Sequence, residues 1–156
     1  MPDVNHMRAG APGFDPRLFL RDEELDYGIA LLLAGERALM KQAGDIAADE
    51  ALPPLAARLL ITIRFEPGCS VQALRKRLNA TTPTLARILG ELDQRGLIER
   101  RKSRQDGRQR AVFLTNEGKR LTDPATIAMR DAMREAYRRA GANAVAGART
   151  VLEALA

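Results

Sequence analysis

A mainly helical chain carrying one small β element is the fold class this sequence predicts, and three observations predict it. Alanine and leucine are abundant while β-branched residues are sparse, a composition that favours helix. Apolar residues recur at three- and four-residue spacing over most of the chain. One stretch breaks that rhythm. Two short apolar-leaning runs, Leu97-Ile98 and Ala111-Val112-Phe113-Leu114, flank Ser103-Arg104-Gln105-Asp106-Gly107-Arg108. Asp-Gly between strand-like runs signals a β-hairpin, because glycine tolerates the positive φ of a tight turn.

The elements follow in order. Residues 1–16, with Pro2, Gly10, Pro12, Gly13 and Pro16, read as a flexible arm. Residues 22–48 form a long helix whose first turn carries Asp22, Glu23, Glu24 and Asp26, where negative charge suits the helix dipole. Its apolar positions Leu25, Ile29, Leu32, Leu33, Leu39, Met40 and Ile46 spread around the helix, a pattern that calls for burial on more than one side by a partner chain. Pro53-Pro54 restarts the chain into a second helix, Leu55–Phe65, with Leu55, Leu59, Leu60 and Ile63 facing inward and Pro67-Gly68 ending it.

Ser70 can cap a short third helix, Val71–Leu78, and Asn79-Ala80 makes a turn. Thr81 or Thr82 then caps a fourth helix, with Pro83 in its first turn, where the missing N–H costs nothing. This helix runs to about Arg95, and Gly96 ends it in a left-handed cap. Leu85, Ile88, Leu89 and Leu92 share one face, with Pro83, Thr84, Arg87 and Glu91 broadly opposite. Beyond the hairpin, Leu114 closes onto the core and Thr115 caps the next helix. Pro124 interrupts that helix. Either Thr122 or Asp123 recaps a new helix with Pro124 in its first turn, or the helix kinks there. Helical spacing resumes at Ile127, Met129, Met133, Ala136 and Tyr137, Gly141 breaks it, and a last helix follows through Val145, Val151, Leu152 and Leu155.

Composition narrows the function. The 156 residues, 46% hydrophobic and 29% charged with 4% aromatic and no Trp, suit one compact unit with a core of Leu, Ile, Ala and Val. A single Cys excludes an internal disulfide and fits a reducing cytoplasm. No apolar run approaches a membrane span, and the N-terminus lacks an export pattern, so no membrane association is expected. From Arg64 to Arg120 there are 14 Lys/Arg against 6 Asp/Glu, a net of +8, while the remainder holds 11 against 14, a net of −3. A solvated surface would account for charge alone. Segregation of this kind, coinciding with the hairpin, marks a module for a polyanion.

A helix–turn–helix followed by a cationic hairpin is the order of a winged helix-turn-helix, and it gives the residues roles on double-stranded DNA. Thr81, Thr82, Thr84 and Arg87 are the candidates for reading base edges from the fourth helix. Arg108 at the hairpin tip can enter a minor groove, with Asp106 orienting it. Arg104 and Arg110 on the hairpin, and Ser70, Arg75 and Lys76 on the third helix, are candidate phosphate contacts, which position without specifying.

The segment Asp106-Gly107-Arg108 through Leu114-Thr115-Asn116-Glu117-Gly118 fits D-x-R-x5-L-T-x-x-G, the wing signature of the MarR family of bacterial transcriptional regulators. Leu89-x-x-Leu92-x-x-x-Gly96-Leu97-Ile98-x-Arg100 also resembles that family's reading helix running into its wing. The order and spacing of the other helices agree over roughly residues 22–155, with Pro124 a departure. The resemblance implies that the wing Arg contacts the minor groove and the nearby Asp steadies it. It also implies a homodimer built from residues 17–52 and 119–156 around a DNA-binding domain at 53–118. The expected role is repression at near-palindromic promoter DNA, relieved by a small phenolic or lipophilic anion, with Arg37 and Arg58 as candidate effector partners.

Other chemistry is sparse. Cys69 precedes the Ser70 cap; a helix N-terminus would lower its pKa, but an inert packing role is expected, since the redox cysteine of some relatives lies in the first helix. His6 is the only histidine, so a zinc site with Cys69 lacks ligands. No phosphate-cradling loop or nucleophile motif occurs, so no enzyme activity, cofactor or metal is expected. The alternative function is a winged-helix module that docks on proteins. A docking wing would not need so many arginines.

Overall fold

The computed structural model describes residues 20–49, 51–102 and 110–155. The chain divides into two compact units, Met1–Arg37 and Ala38–Ala156. Helix α1 (Asp22–Asp49) crosses that division.

Within the first unit, α1 starts with Leu25 N–H donating to the Arg21 carbonyl at 3.0 Å, and Asp22, Glu23 and Glu24 occupy its first turn. Its large apolar side chains Leu25, Tyr27, Ile29, Leu31, Leu32 and Leu33 are all exposed, the last at 58%. The all-round apolar pattern of the sequence is thus left without cover.

The second unit holds the core. After α1, α2 (Pro54–Phe65) begins at two prolines: Pro53 is the cap, and its carbonyl accepts from Ala56 and Ala57 N–H. Leu59, Leu60 and Ile63 are fully buried as the spacing predicts, together with Ala56, Ala57 and Ile61, while Leu55 is half-buried. Strand β1 (Cys69–Ser70), α3 (Val71–Arg77), α4 (Thr82–Gln94), β2 (Ile98–Lys102), β3 (Arg110–Leu114), α5 (Asn116–Ala140) and α6 (Ala142–Leu155) complete the order. The sheet is antiparallel in the order β1-β3-β2, with Ile98 opposite Leu114 and Cys69 opposite Val112.

Two features depart from the sequence reading. The hairpin is joined by a third strand, β1, which sequence pattern alone does not reveal because it is two residues long. Gly68 N–H donates to the Val112 carbonyl at 2.9 Å and delivers the chain to that edge. Of the two readings of Pro124, recapping at Thr122 or Asp123 does not occur: α5 is continuous, with Pro124 inside it. An internal proline costs about 3 kcal/mol. Burial of Met129, which alone contributes about 1.5–3 kcal/mol, together with Ala125, Thr122 and Thr126 on the same helix opposes that cost. The Thr122 hydroxyl, free of any capping role, donates back to the Gly118 and Lys119 carbonyls at 2.9 and 3.1 Å.

The join between hairpin and α5 explains the sequence Leu114-Thr115-x-x-Gly118. Leu114 is 5% exposed. The Thr115 hydroxyl accepts from Gly118 N–H at 3.1 Å and donates to the Gly96 carbonyl at 2.6 Å. Thr115 N–H donates to the Leu97 carbonyl at 3.1 Å. A Cβ on Gly118 would lie 2.1 Å from that same carbonyl oxygen, so only glycine fits. Gly141, at φ 79°, ends α5. No residue of α6 is buried, and its Val151, Leu152 and Leu155 are exposed.

Candidate nucleic-acid interface

The turn between α3 and α4 is tight: Asn79 takes φ 46° and Ala80 N–H donates to the Arg75 carbonyl at 3.1 Å. Thr81, not Thr82, is the cap of α4. Its hydroxyl accepts from Thr84 N–H at 3.3 Å and donates to the Thr84 hydroxyl oxygen at 2.8 Å. A cap of this kind is worth about 1 kcal/mol. Leu85, Ile88, Leu89 and Leu92 are each at most 1% exposed, which locks the helix by its apolar face. Thr81, Thr82, Pro83 and Arg87 are left in solvent and Thr84 half in it. Arg87 lies 3.6 Å from Glu91 one turn on, a surface pair of little stabilising value that keeps the guanidinium along the helix.

The cations around this helix fall into two groups. Arg77 is paired with Glu66, Arg101 with Glu99, and Arg120 with Glu117. Strand alternation turns Arg100 to the side of buried Val112, its register partner, where it lies 3.5 Å from Asp93 and its Nε is buried without a partner. Its position is structural, unlike that of the exposed Arg110 on the neighbouring strand. Arg75, Lys76 and Arg110 are exposed with no carboxylate within ion-pair distance among the described residues. These three are open to an external anion. Ser70 caps α3, its hydroxyl oxygen accepting from Ala73 N–H at 3.1 Å, so the hydroxyl proton remains available to a phosphate. Arg104, Asp106 and Arg108 lie outside the described residues.

An apolar cavity of about 790 Å³ lies between the second half of α1, the end of α2 and α5. Leu39, Met40, Phe65, Met129, Met133 and Tyr137 line it, together with Arg130, Arg134 and Arg138. Sequence reasoning did not find it, because its walls come from three distant segments. Arg58 is exposed on α2 outside that lining, and Arg37 is exposed in the N-terminal unit. Cys69 is half-buried, and burial pushes its thiol pKa up rather than down, although a backbone hydrogen bond opposes this. Loss of hydration therefore outweighs that hydrogen bond. Among the described residues, no group of three or more His, Cys, Asp or Glu could hold a metal ion, and no helix is long and apolar enough to cross a membrane.

A capped reading helix after a tight turn, backed by a three-stranded sheet with an arginine-rich hairpin, defines a winged helix-turn-helix domain. Residues 52–109 match the model of the MarR family. The chain is also 39% identical over 146 residues to the HTH-type transcriptional regulator PetP of Rhodobacter capsulatus, across 94% of this chain and 88% of that one. It belongs to the MarR family of transcriptional regulators. Two solved structures share the fold. NadR in complex with 4-hydroxyphenylacetate has a TM-score of 0.65 at 24% identity, over 81% of this chain and 89% of that one. A mutant of S. aureus MepR bound to an oligodeoxyribonucleotide has a TM-score of 0.50 at 20% identity, over 83% and 98%.

Proposed function

We propose that this regulator binds near-palindromic promoter DNA as a homodimer, acts as a repressor, and is released by a small lipophilic anion. The exposed polar face of α4, fixed by its buried opposite face and by the Thr81 cap, carries this reading. Thr81, Thr82, Thr84 and Arg87 read base edges, and Arg108, steadied by Asp106, enters the minor groove. Ser70, Arg75, Lys76, Arg104 and Arg110 hold phosphates. The bare apolar side chains of α1 and of α6 support dimer formation through both helices, because such surface is favourable to bury. The 790 Å³ cavity, apolar with arginines in its lining, suits an aromatic or aliphatic carboxylate, in keeping with the 4-hydroxyphenylacetate bound by NadR. Neither Arg37 nor Arg58 lines this cavity, so both are kept as candidate anion partners apart from it.

Selection of bound sequences from a random duplex pool at physiological salt tests the proposal. Symmetric half-sites about one helical turn apart are expected, with affinity falling steeply as salt rises. Substituting Thr84 or Arg87 should change the selected sequence. Salt-insensitive binding, or a pool that stays random, refutes the reading and favours a protein-docking module. Aromatic carboxylates should raise the melting temperature and release the DNA; a panel that does neither refutes the effector role.

A further inference from the structure

A second cavity, of about 390 Å³, lies between the end of α2, the base of the hairpin and α5. Its character is opposite to that of the apolar one. Four cations line it, Arg64, Arg101, Lys119 and Arg130, against the single carboxylate of Glu99. Glu99 pairs with Arg101, and Asp123, outside the lining, pairs with Arg64. Lys119 and Arg130 have no carboxylate within ion-pair distance among the described residues. Two of the guanidinium groups are braced on aromatic rings, Arg101 at 5.1 Å over Phe113 and Arg130 at 5.9 Å over Phe65. A guanidinium laid on a ring keeps its edge N–H donors free for a two-oxygen acceptor.

Like charges gathered in a concave site repel one another, and the carboxylates on hand leave a positive excess. We propose that this cavity binds a small dianion of the phosphate or dicarboxylate type, apart from the apolar cavity, with which it shares Arg130. Its size suits a ligand of few atoms. The ring-braced Arg130 guanidinium and the Lys119 ammonium match two or more oxygens carrying two charges, while Arg101 shares its donors with Glu99. A concave site between three elements favours a free small anion over the convex backbone of a duplex. Because its walls belong to α2, to β2 and β3, and to α5, a bound dianion would tie the base of the wing to the helices behind it.

Isothermal titration of the full-length protein with inorganic phosphate and with succinate tests this, against acetate at matched ionic strength. Saturable binding of either dianion and none of acetate is expected. Lys119 lines this cavity and not the apolar one, so Lys119→Gln should weaken the binding about tenfold, as loss of a charge-assisted contact does. Lys119→Arg should retain it, and Lys41→Gln, at an exposed cation elsewhere, should leave it unchanged. Absence of saturable binding overturns the proposal, as does equal loss in Lys41→Gln. If no small dianion binds but Lys119→Gln lowers the salt slope of DNA binding by about one, the cavity serves the duplex backbone and the small-anion site is refuted.

Discussion

Replacing Gly118 by alanine should destabilise the protein, although alanine is the better helix former. Gly118 is the third residue of α5, and its Cβ would sit 2.1 Å from the Leu97 carbonyl oxygen. That carbonyl already accepts from Thr115 N–H at 3.1 Å, so it cannot withdraw without stretching a backbone bond. Overpacking costs about 1–3 kcal/mol and loss of a hydrogen bond about 1 kcal/mol. Against these, the helix propensity of alanine returns at most about 1 kcal/mol. The net is a loss of about 2 kcal/mol, or about 4–8 °C in melting temperature for a chain of this size. Gly90→Ala is the matched comparison, because nothing lies within 4 Å of a Cβ there. The same chemical change should then stabilise by up to about 1 kcal/mol. Urea unfolding of both variants at one protomer concentration measures the difference, since oligomer stability depends on concentration. If Gly118→Ala is as stable as the parent, the steric argument at this join is wrong.

Thr81→Ala removes the α4 cap and should cost about 1 kcal/mol, read as a lower urea midpoint; an unchanged midpoint would show the cap to be idle. Pro124→Ala restores a backbone donor inside α5 and should stabilise by about 2 kcal/mol; no gain would mean that the helix carries no proline penalty. The Cys69 thiol holds its proton more tightly folded than unfolded. Its contribution to stability is therefore complete below the unfolded thiol pKa, about 8.5, and is lost as pH rises through the raised folded value. Iodoacetamide at pH 8 should accordingly modify it more slowly than free cysteine, and an equal rate would contradict the burial. Arg108→Ala should weaken cognate DNA binding by about 1–3 kcal/mol, and parental affinity in a gel shift would remove Arg108 from the minor groove.

Where an element's own residues decide its structure, the sequence was readable. The two prolines at the start of α2, the threonine cap and Pro83 at α4, and the leucine faces of both helices fix their positions locally, and the structure follows them within a residue or two. Strand β1 was not readable, because two residues carry no alternation and their pairing depends on Val112 and Ala111 some forty positions on. Pro124 misleads for a related reason. The local rule against an internal proline is sound, but burial of Thr122, Ala125, Thr126 and Met129 overrides it. At the interface, α4 presents its expected polar face, whereas the division of hairpin cations into paired and open ones needs the register that turns Arg100 inward. Both cavities draw their walls from segments far apart in sequence, which no local pattern brings together.

The Thr115 hydroxyl both donates, to the Gly96 carbonyl, and accepts, from Gly118 N–H. This makes the position a filter on proton direction. Aspartate caps helices at least as well as threonine in general, yet an ionised carboxylate has no proton to give and would set its charge against the Gly96 oxygen. Asparagine carries donor and acceptor on different atoms, so one atom cannot meet both neighbours. Among the good caps only serine retains the pair of bonds, and it forgoes the methyl group. The threonine letter in the wing motif thus records the polarity of two hydrogen bonds through a single oxygen, and a Thr115→Asp chain would keep a helix start while losing its tie to the turn before the wing.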